Sequence, residues 1–313
     1  MMTHQVGLHR KGQGSRLLKA SLLQENNIVN FKNKNDMAAI TAADVNKLRQ
    51  QTGAGMMDCK NALVEADGDI EAAKEILRKK GQKIANNRAD RENKEGYVIA
   101  KVNADNDRAS MIMLNCETDF VGKSNDFVSM ANQIIDIAVA NNPKDVDELK
   151  SMMLDGHTIE DQVTNLMGKT GEKITLSYLN QINAARVFAY NHHGNRLATI
   201  MGVNKKDVQN LDNIGKEICM QIAAMNPVAL DKEGVDPAII EKEIEIGKEQ
   251  ARQEGKPEEM LEKIALGKLN KFYKESTLLN QEFLRDPKKT IRQYLEEADK
   301  ELTITEFKRL ILE

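Results

Sequence analysis

The sequence predicts an α+β fold assembled from several modules, on three observations. An apolar hairpin, a long helical stretch and an Asn-Pro stop occur twice in the same order, first between Tyr97 and Pro143, then between Arg186 and Pro227. A short segment before the first hairpin shows only helical spacing. The segment 236–274 carries helical apolar stripes with no strand signal. A chain of 313 residues has room for two or three such modules.

Residues 1–36 differ from the rest. Met1 to Gln24 contains no acidic residue but carries Arg10, Lys11, Arg16 and Lys19, and Gly7, Gly12 and Gly14 discourage a helix outside Ser15 to Gln24. Two readings stand: an organelle transit peptide, typically basic and acid-poor, or a mis-assigned start with translation beginning at Met37. The Asn/Lys-rich run Asn26 to Asp36 lacks amphipathic periodicity, which favours the second. Under both, 1–36 is expected to be a disordered extension.

Residues 37–90 read as three short helices. Thr41 is a candidate N-cap ahead of Val45 and Leu48, and Thr52-Gly53-Ala54-Gly55 breaks the chain. A second helix, about Met57 to Ala66, carries Ala62 and Leu63. Asp67-Gly68-Asp69 supplies a turn and the next N-cap before Ile70, Ala73, Ile76 and Leu77, and Gly81 is placed as the C′ residue. The three make a minimal core like a ubiquitin-associated domain, and the charged run Arg88 to Glu95 reads as a solvated linker.

In 91–180, Tyr97 to Asn103 and Ser110 to Asn115 pair around Asp105-Asn106-Asp107, and a helix follows from Asp126 to Ala140. In 181–235, Arg186 to Tyr190 and Leu197 to Val203 pair around His192-His193-Gly194-Asn195, with a helix from Leu211 to Ala224. These are expected to be two related antiparallel-sheet-plus-helix core subdomains. Within 236–274, Ile240, Ile244, Gly247 and Ala251 form one stripe and Leu261, Ile264, Ala265, Leu269 and Phe272 another, on either side of Glu254-Gly255-Lys256-Pro257. That pattern predicts an inserted antiparallel helical hairpin, a short coiled coil projecting from the body. In 275–313, Leu278 to Phe283 and Leu302 to Leu312 read as strands around a helix from Thr290 to Ala298, completing the second subdomain's sheet.

Composition narrows the function. With 45 basic against 48 acidic residues and a net charge of −3, the chain is a poor candidate for phosphate neutralisation, so no direct nucleic-acid partner is expected. No apolar run approaches the ~20 residues that span a bilayer, so no membrane partner is expected. Cys59, Cys116 and Cys219 form no CxxC pair, which points to a reducing cytosol and a cytoplasmic protein. HExxH, GxSxG, GxxxxGK[ST] and GxGxxG are all missing, so neither enzymatic chemistry nor a cofactor or bound metal is expected.

The strongest functional signal is Leu114-Asn115-Cys116-Glu117-Thr118-Asp119-Phe120-Val121-Gly122-Lys123. An apolar strand runs out into a polar loop that carries a large aromatic. Phe120 either folds back on a core or meets a partner, and Asp119 by itself reads as a helix N-cap. Met56 and Met57 are either core filler or an adaptable apolar surface. His192 and His193 sit in a polar turn where solvation is the default. A Cys116/His193 catalytic pair lacks a third orienting group; turnover sensitive to Cys116→Ala would mark a hydrolase. Binding retained by residues 37–90 and indifferent to Phe120 would mark an adaptor instead.

Leu48-Arg49-Gln50-Gln51-Thr52-Gly53-Ala54-Gly55-Met56-Met57-Asp58-Cys59-Lys60-Asn61-Ala62-Leu63 resembles the amino-terminal signature of bacterial translation elongation factor Ts almost letter for letter. Leu114 to Lys123 resembles that family's second signature, with Gly122 where Ala or Ser is usual and Met113 where Glu is usual. The resemblance covers Met37 to Glu313. It implies a guanine-nucleotide exchange factor that does no covalent chemistry. Its partner would be elongation factor Tu, engaged while GDP-bound and then nucleotide-free, with release once GTP enters. By the same resemblance Thr118, Asp119, Phe120 and Val121 would wedge into the partner's nucleotide-binding domain and disturb its Mg²⁺ site. Gly122 would make that wedge a more flexible hinge. Met56, Met57 and Lys60 match residues that dock the amino-terminal domain, and Gly171, in Thr170-Gly171-Glu172-Lys173, matches a contact in the core. A turn histidine matches a contact to another partner domain: His192 counting from Tyr190, His193 counting back from Gly194. Some family members carry a further carboxy-terminal helix, and no docking by such a module is expected here.

Overall fold

The computed structural model describes residues 40–312, so the expectations for 1–36 and for a start at Met37 lie outside the described residues. The chain forms α1 (Ala42–Thr52), α2 (Met56–Glu65) and α3 (Ile70–Asn87) first. Thr41 and Asp44 build a reciprocal capping box at α1, and Gly53 ends it in the left-handed region. Asp69 caps α3 through the amide of Ala72. Val45, Leu48, Cys59, Ala62, Leu63 and Ala73 close a small core between the three helices.

Gly81 does not end α3, which runs on to Asn87. The glycine is buried in the crossing with α7 (Ile159–Thr170), where a β-carbon would stand 2.4 Å from the Thr164 carbonyl oxygen. Its lack of a side chain is needed for close approach between helices. The run after it is not simply a solvated linker either, because Arg88 pairs with Glu117 at 2.7 Å. Arg78 pairs with Asp161 of α7 at 3.2 Å across the same joint.

β1 (Glu95–Val102), β2 (Arg108–Cys116) and β5 (Thr175–Asn183) form one antiparallel sheet with β2 central. Between β2 and β5 the chain makes the single turn α4 (Asp119–Gly122), then α5 (Asn125–Asn141), α6 (Val146–Ser151), the tiny hairpin β3 (Met153–Leu154) and β4 (His157–Thr158), and α7. The second sheet is antiparallel in the order β10 (Ile304–Ile311), β7 (Leu197–Val203), β6 (Arg186–Asn191). Period-two alternation lets each central strand be buried on both faces. Ile112, Leu114 and Cys116 of β2 join Phe127, Ile134 and Ile135 of α5. Met201 and Val203 of β7 join Ile214, Ile218 and Ile222 of α8 (Leu211–Met225). The opposite faces, with Met111 and Met113 from β2 and Ala198 and Ile200 from β7, meet in a third cluster between the sheets. Helix, sheet, sheet and helix are therefore stacked in layers. Asn142 and Asn226 stop α5 and α8 in the left-handed region, each directly before a proline.

α9 (Pro237–Gln253) and α10 (Glu258–Ser276) form an antiparallel pair whose backbones approach at Gly247, where a β-carbon would lie 3.1 Å from the Ala265 Cα. One expected strand is corrected. Leu278–Asn280 is a 3₁₀ turn, and only Glu282–Phe283 (β8) is extended, pairing with β9 (Asp286–Thr290). Leu278 and Leu279 are both buried, and the amide of Gln281 closes the turn on the Leu278 carbonyl. β10, after α11 (Ile291–Ala298), pairs with β7 and completes the second sheet.

Candidate functional site

β2 ends where its sheet meets solvent, and the next residues turn sharply. Thr118 is extended and caps α4, its hydroxyl accepting from the Val121 amide at 3.4 Å. Asp119 is thus the first helical residue rather than the cap. Its carboxylate pairs with Lys123 at 2.6 Å, and that hydrogen bond and charge hold it below the usual carboxylate range. Val121 packs back on the first core and Gly122 is buried. A β-carbon at Gly122 would lie 3.3 Å from the Cys116 sulfur. Gly122 therefore packs closely in an ordinary helical conformation. With Val121 and Gly122 packed inward, Phe120 stands 85% exposed.

The turn is held by a reciprocal clamp with the loop after α7, which Gly171 opens in the left-handed region at φ 73°. One Glu172 carboxylate oxygen accepts from the amides of Glu117 (3.2 Å) and Thr118 (3.0 Å). The other accepts from the Thr118 hydroxyl at 2.6 Å. In return Glu117 accepts from the Lys173 amide at 2.7 Å and from Arg88 at 2.7 Å. Burial alone would raise the Glu117 pKa, but the Lys173 amide and the Arg88 guanidinium outweigh it and hold the carboxyl below its usual range. Lys173 also donates to the carbonyls of Ala89 and Arg91, so the connector after α3 is tied to this loop.

The remaining sequence candidates lie on segments linked to the turn by short contact chains. Met56 and Met57, at the start of α2, are 57% and 63% exposed, and Lys60 is exposed one turn on. A β-carbon at Gly53, in the loop before them, would lie 3.1 Å from the Nζ of Lys169 of α7, which pairs with Asp126 in the first turn of α5. Gly171 follows on the same helix. The histidine turn joins β6 to β7 and lies against the edge of β1, where the Asn195 backbone carbonyl accepts from the Val98 amide at 2.7 Å. Arg196 pairs with Glu95, next to Gly96, which flanks Gly122. His192 is tethered by the Tyr190 hydroxyl at 2.9 Å and lines a cavity of about 500 Å³ with Met220 and Phe283. His193 is exposed at the tip.

No thiol is poised for chemistry. Cys59, Cys116 and Cys219 are all buried. Burial, then the Glu172 and Glu95 carboxylates, push Cys116 up to about 12; burial does the same to Cys219. At neutral pH the native protein is expected to leave all three unreacted with a disulfide reagent over minutes, with full labelling on denaturation. Fast native labelling of Cys116 would revive a nucleophilic role.

The residues that sequence reasoning passed over are Glu117, Glu172, Lys173 and Arg88. Glu117 and Glu172 were in view as members of motifs, but nothing local signals that each would bind the other's backbone.

A family model described as Elongation factor TS matches residues 117–313. Curated relatives named Elongation factor Ts are similar over 88% of this chain. That of Amoebophilus asiaticus is 50% identical across 274 residues, 99% of its own length. That of Cytophaga hutchinsonii is 50% identical across 277 residues, 100% of its length. That of Christiangramia forsetii is 49% identical across 276 residues, again its full length.

Proposed function

The chain belongs to the elongation factor Ts family, and on that premise we propose that it binds elongation factor Tu carrying GDP and promotes exchange of GDP for GTP during protein synthesis. The observation that carries the proposal to particular residues is Phe120, an apolar ring held out in water on a turn whose Thr118 is clamped by Glu172 and whose Val121 and Gly122 pack on the core. A preorganised aromatic entering a partner pocket loses little conformational entropy and contributes strongly to binding. In our reading Thr118 to Val121 press on the partner's nucleotide-binding domain and displace the loop that holds Mg²⁺. Since linkage is reciprocal, GDP and Mg²⁺ in turn weaken the complex, and GTP entry releases it.

We assign Met56, Met57 and Lys60, on a ubiquitin-associated-like module, to a second grip on the same partner domain, with Gly171 between the two. We read the two sheet-plus-helix halves as related subdomains, the second presenting its histidine turn to a different partner domain. There His192 stiffens the turn and His193 is displayed. The protein alters binding equilibria without making or breaking covalent bonds, and we place it in the cytoplasm, acting without nucleic acid or membrane. No helix among the described residues is long and apolar enough to cross a bilayer.

The test is release of a fluorescent GDP analogue from elongation factor Tu. Micromolar amounts of the protein are expected to accelerate release in a concentration-dependent way. An unchanged rate would reject the assignment.

A further inference from the structure

We propose that Glu172 is a positioning residue for exchange: through the Thr118 hydroxyl it sets the turn that presents Phe120. This rests on the exchange reading above and deepens it. Three donors, the amides of Glu117 and Thr118 and the Thr118 hydroxyl, converge on the two Glu172 oxygens at 3.2, 3.0 and 2.6 Å. An ionised carboxylate is the side chain that offers acceptors alone in that number. Because the Thr118 hydroxyl spends its proton on Glu172, its lone pairs face the Val121 amide and cap the turn. The path runs from Glu172 to the Thr118 hydroxyl, to the Val121 amide, to the turn, and so to the exposed ring of Phe120.

Glu172 is itself fixed. It follows Gly171, the left-handed cap of α7, and its own amide donates to the Thr170 hydroxyl at 3.3 Å. Lys173 beside it ties down the connector that leads from α3. The loop is therefore a bracket between the helical module and the turn, and Glu172 is the arm that reaches the turn.

The experiment compares Glu172→Ala, Glu172→Gln and Glu172→Asp, each alone and the first also in a Phe120→Ala background. It measures GDP release from elongation factor Tu together with hydrogen exchange at the Glu117 and Thr118 amides in the free protein. Glu172→Ala is expected to lose about tenfold in exchange activity, at the lower end of what hydrogen bonds to a charged group contribute. It should also lose protection at the two amides while other core amides stay protected. Glu172→Gln can accept both amides on its oxygen and donate to Thr118, so it should restore most of the activity. Glu172→Asp is one methylene short and should not. In the Phe120→Ala background Glu172→Ala is expected to add nothing, because a residue acting through Phe120 has nothing left to position. Additive losses would overturn the role in favour of a direct partner contact. Retained protection at both amides, or full exchange by Glu172→Ala beside an active wild type, would overturn it outright. An inactive wild type would instead overturn the exchange reading itself.

Discussion

Phe120→Ala is expected to reduce acceleration of GDP release about 30-fold or more at sub-saturating concentration, while leaving the fold untouched. Buried aromatic anchors at protein interfaces contribute on the order of 2 kcal/mol or more, and each 1.4 kcal/mol is a factor of ten. The side chain is 85% exposed in the free protein, so truncation leaves no cavity and removes no core contact. The turn keeps its Thr118 cap and its Asp119–Lys123 pair. Circular dichroism and the denaturation midpoint should therefore match the wild type, which separates loss of a partner contact from loss of structure. Stopped-flow release over a range of factor concentrations reads the effect directly. A wild-type rate from a folded Phe120→Ala protein would remove the ring from the mechanism.

The exposure of that ring was legible only in part: the apolar run Ser110 to Leu114 ends before Phe120, which left the ring either folded back on a core or facing a partner, and the resemblance of Leu114 to Lys123 to the family signature favoured the partner. Its support was not legible. Glu172 and Glu117 find each other only because α7 returns the chain to the end of β2, and neither α6 nor α7 was expected. The Thr158 hydroxyl and Asp161 do form a cap at α7, but the intervening loop masked the pattern. β5 escaped for a different reason. It is an edge strand on which Leu176 and Ile182 are buried while Tyr178 is half exposed, so its alternation is broken by polar residues. The paired hairpins and the α9–α10 stripes were readable because their apolar periods are regular and local.

Gly81 is the instructive misreading, and it supplies the second large expected effect. A glycine just past Ile76 and Leu77 has the sequence form of a helix C′ residue, yet α3 passes straight through it. Within a helix, Gly→Ala ordinarily stabilises by about 1 kcal/mol through backbone propensity. At Gly81 the added β-carbon would stand 2.4 Å from the Thr164 carbonyl oxygen, a backbone atom that cannot rotate aside. The two helices must separate, and overpacking of this kind costs about 1–3 kcal/mol. With a backbone atom at 2.4 Å the clash outweighs the propensity, so Gly81→Ala is expected to be net destabilising by up to about 2 kcal/mol. Gly267, inside α10, has nothing within 4 Å of its β-carbon position, so Gly267→Ala should stabilise by up to about 1 kcal/mol. The same substitution thus carries opposite signs at two helical positions, which chemical denaturation of the two variants would resolve. Separation at Gly81 also strains the Arg78–Asp161 pair and the seat of the module that carries Met56, Met57 and Lys60. Gly81→Ala should therefore expose the α3–α7 joint to limited proteolysis and raise the concentration of factor needed for half-maximal GDP release. Amide protection at Thr118, set by Glu172 rather than by α3, should persist. If Gly81→Ala were as stable as the wild type, the close crossing of α3 and α7 would not be what holds the module to the core.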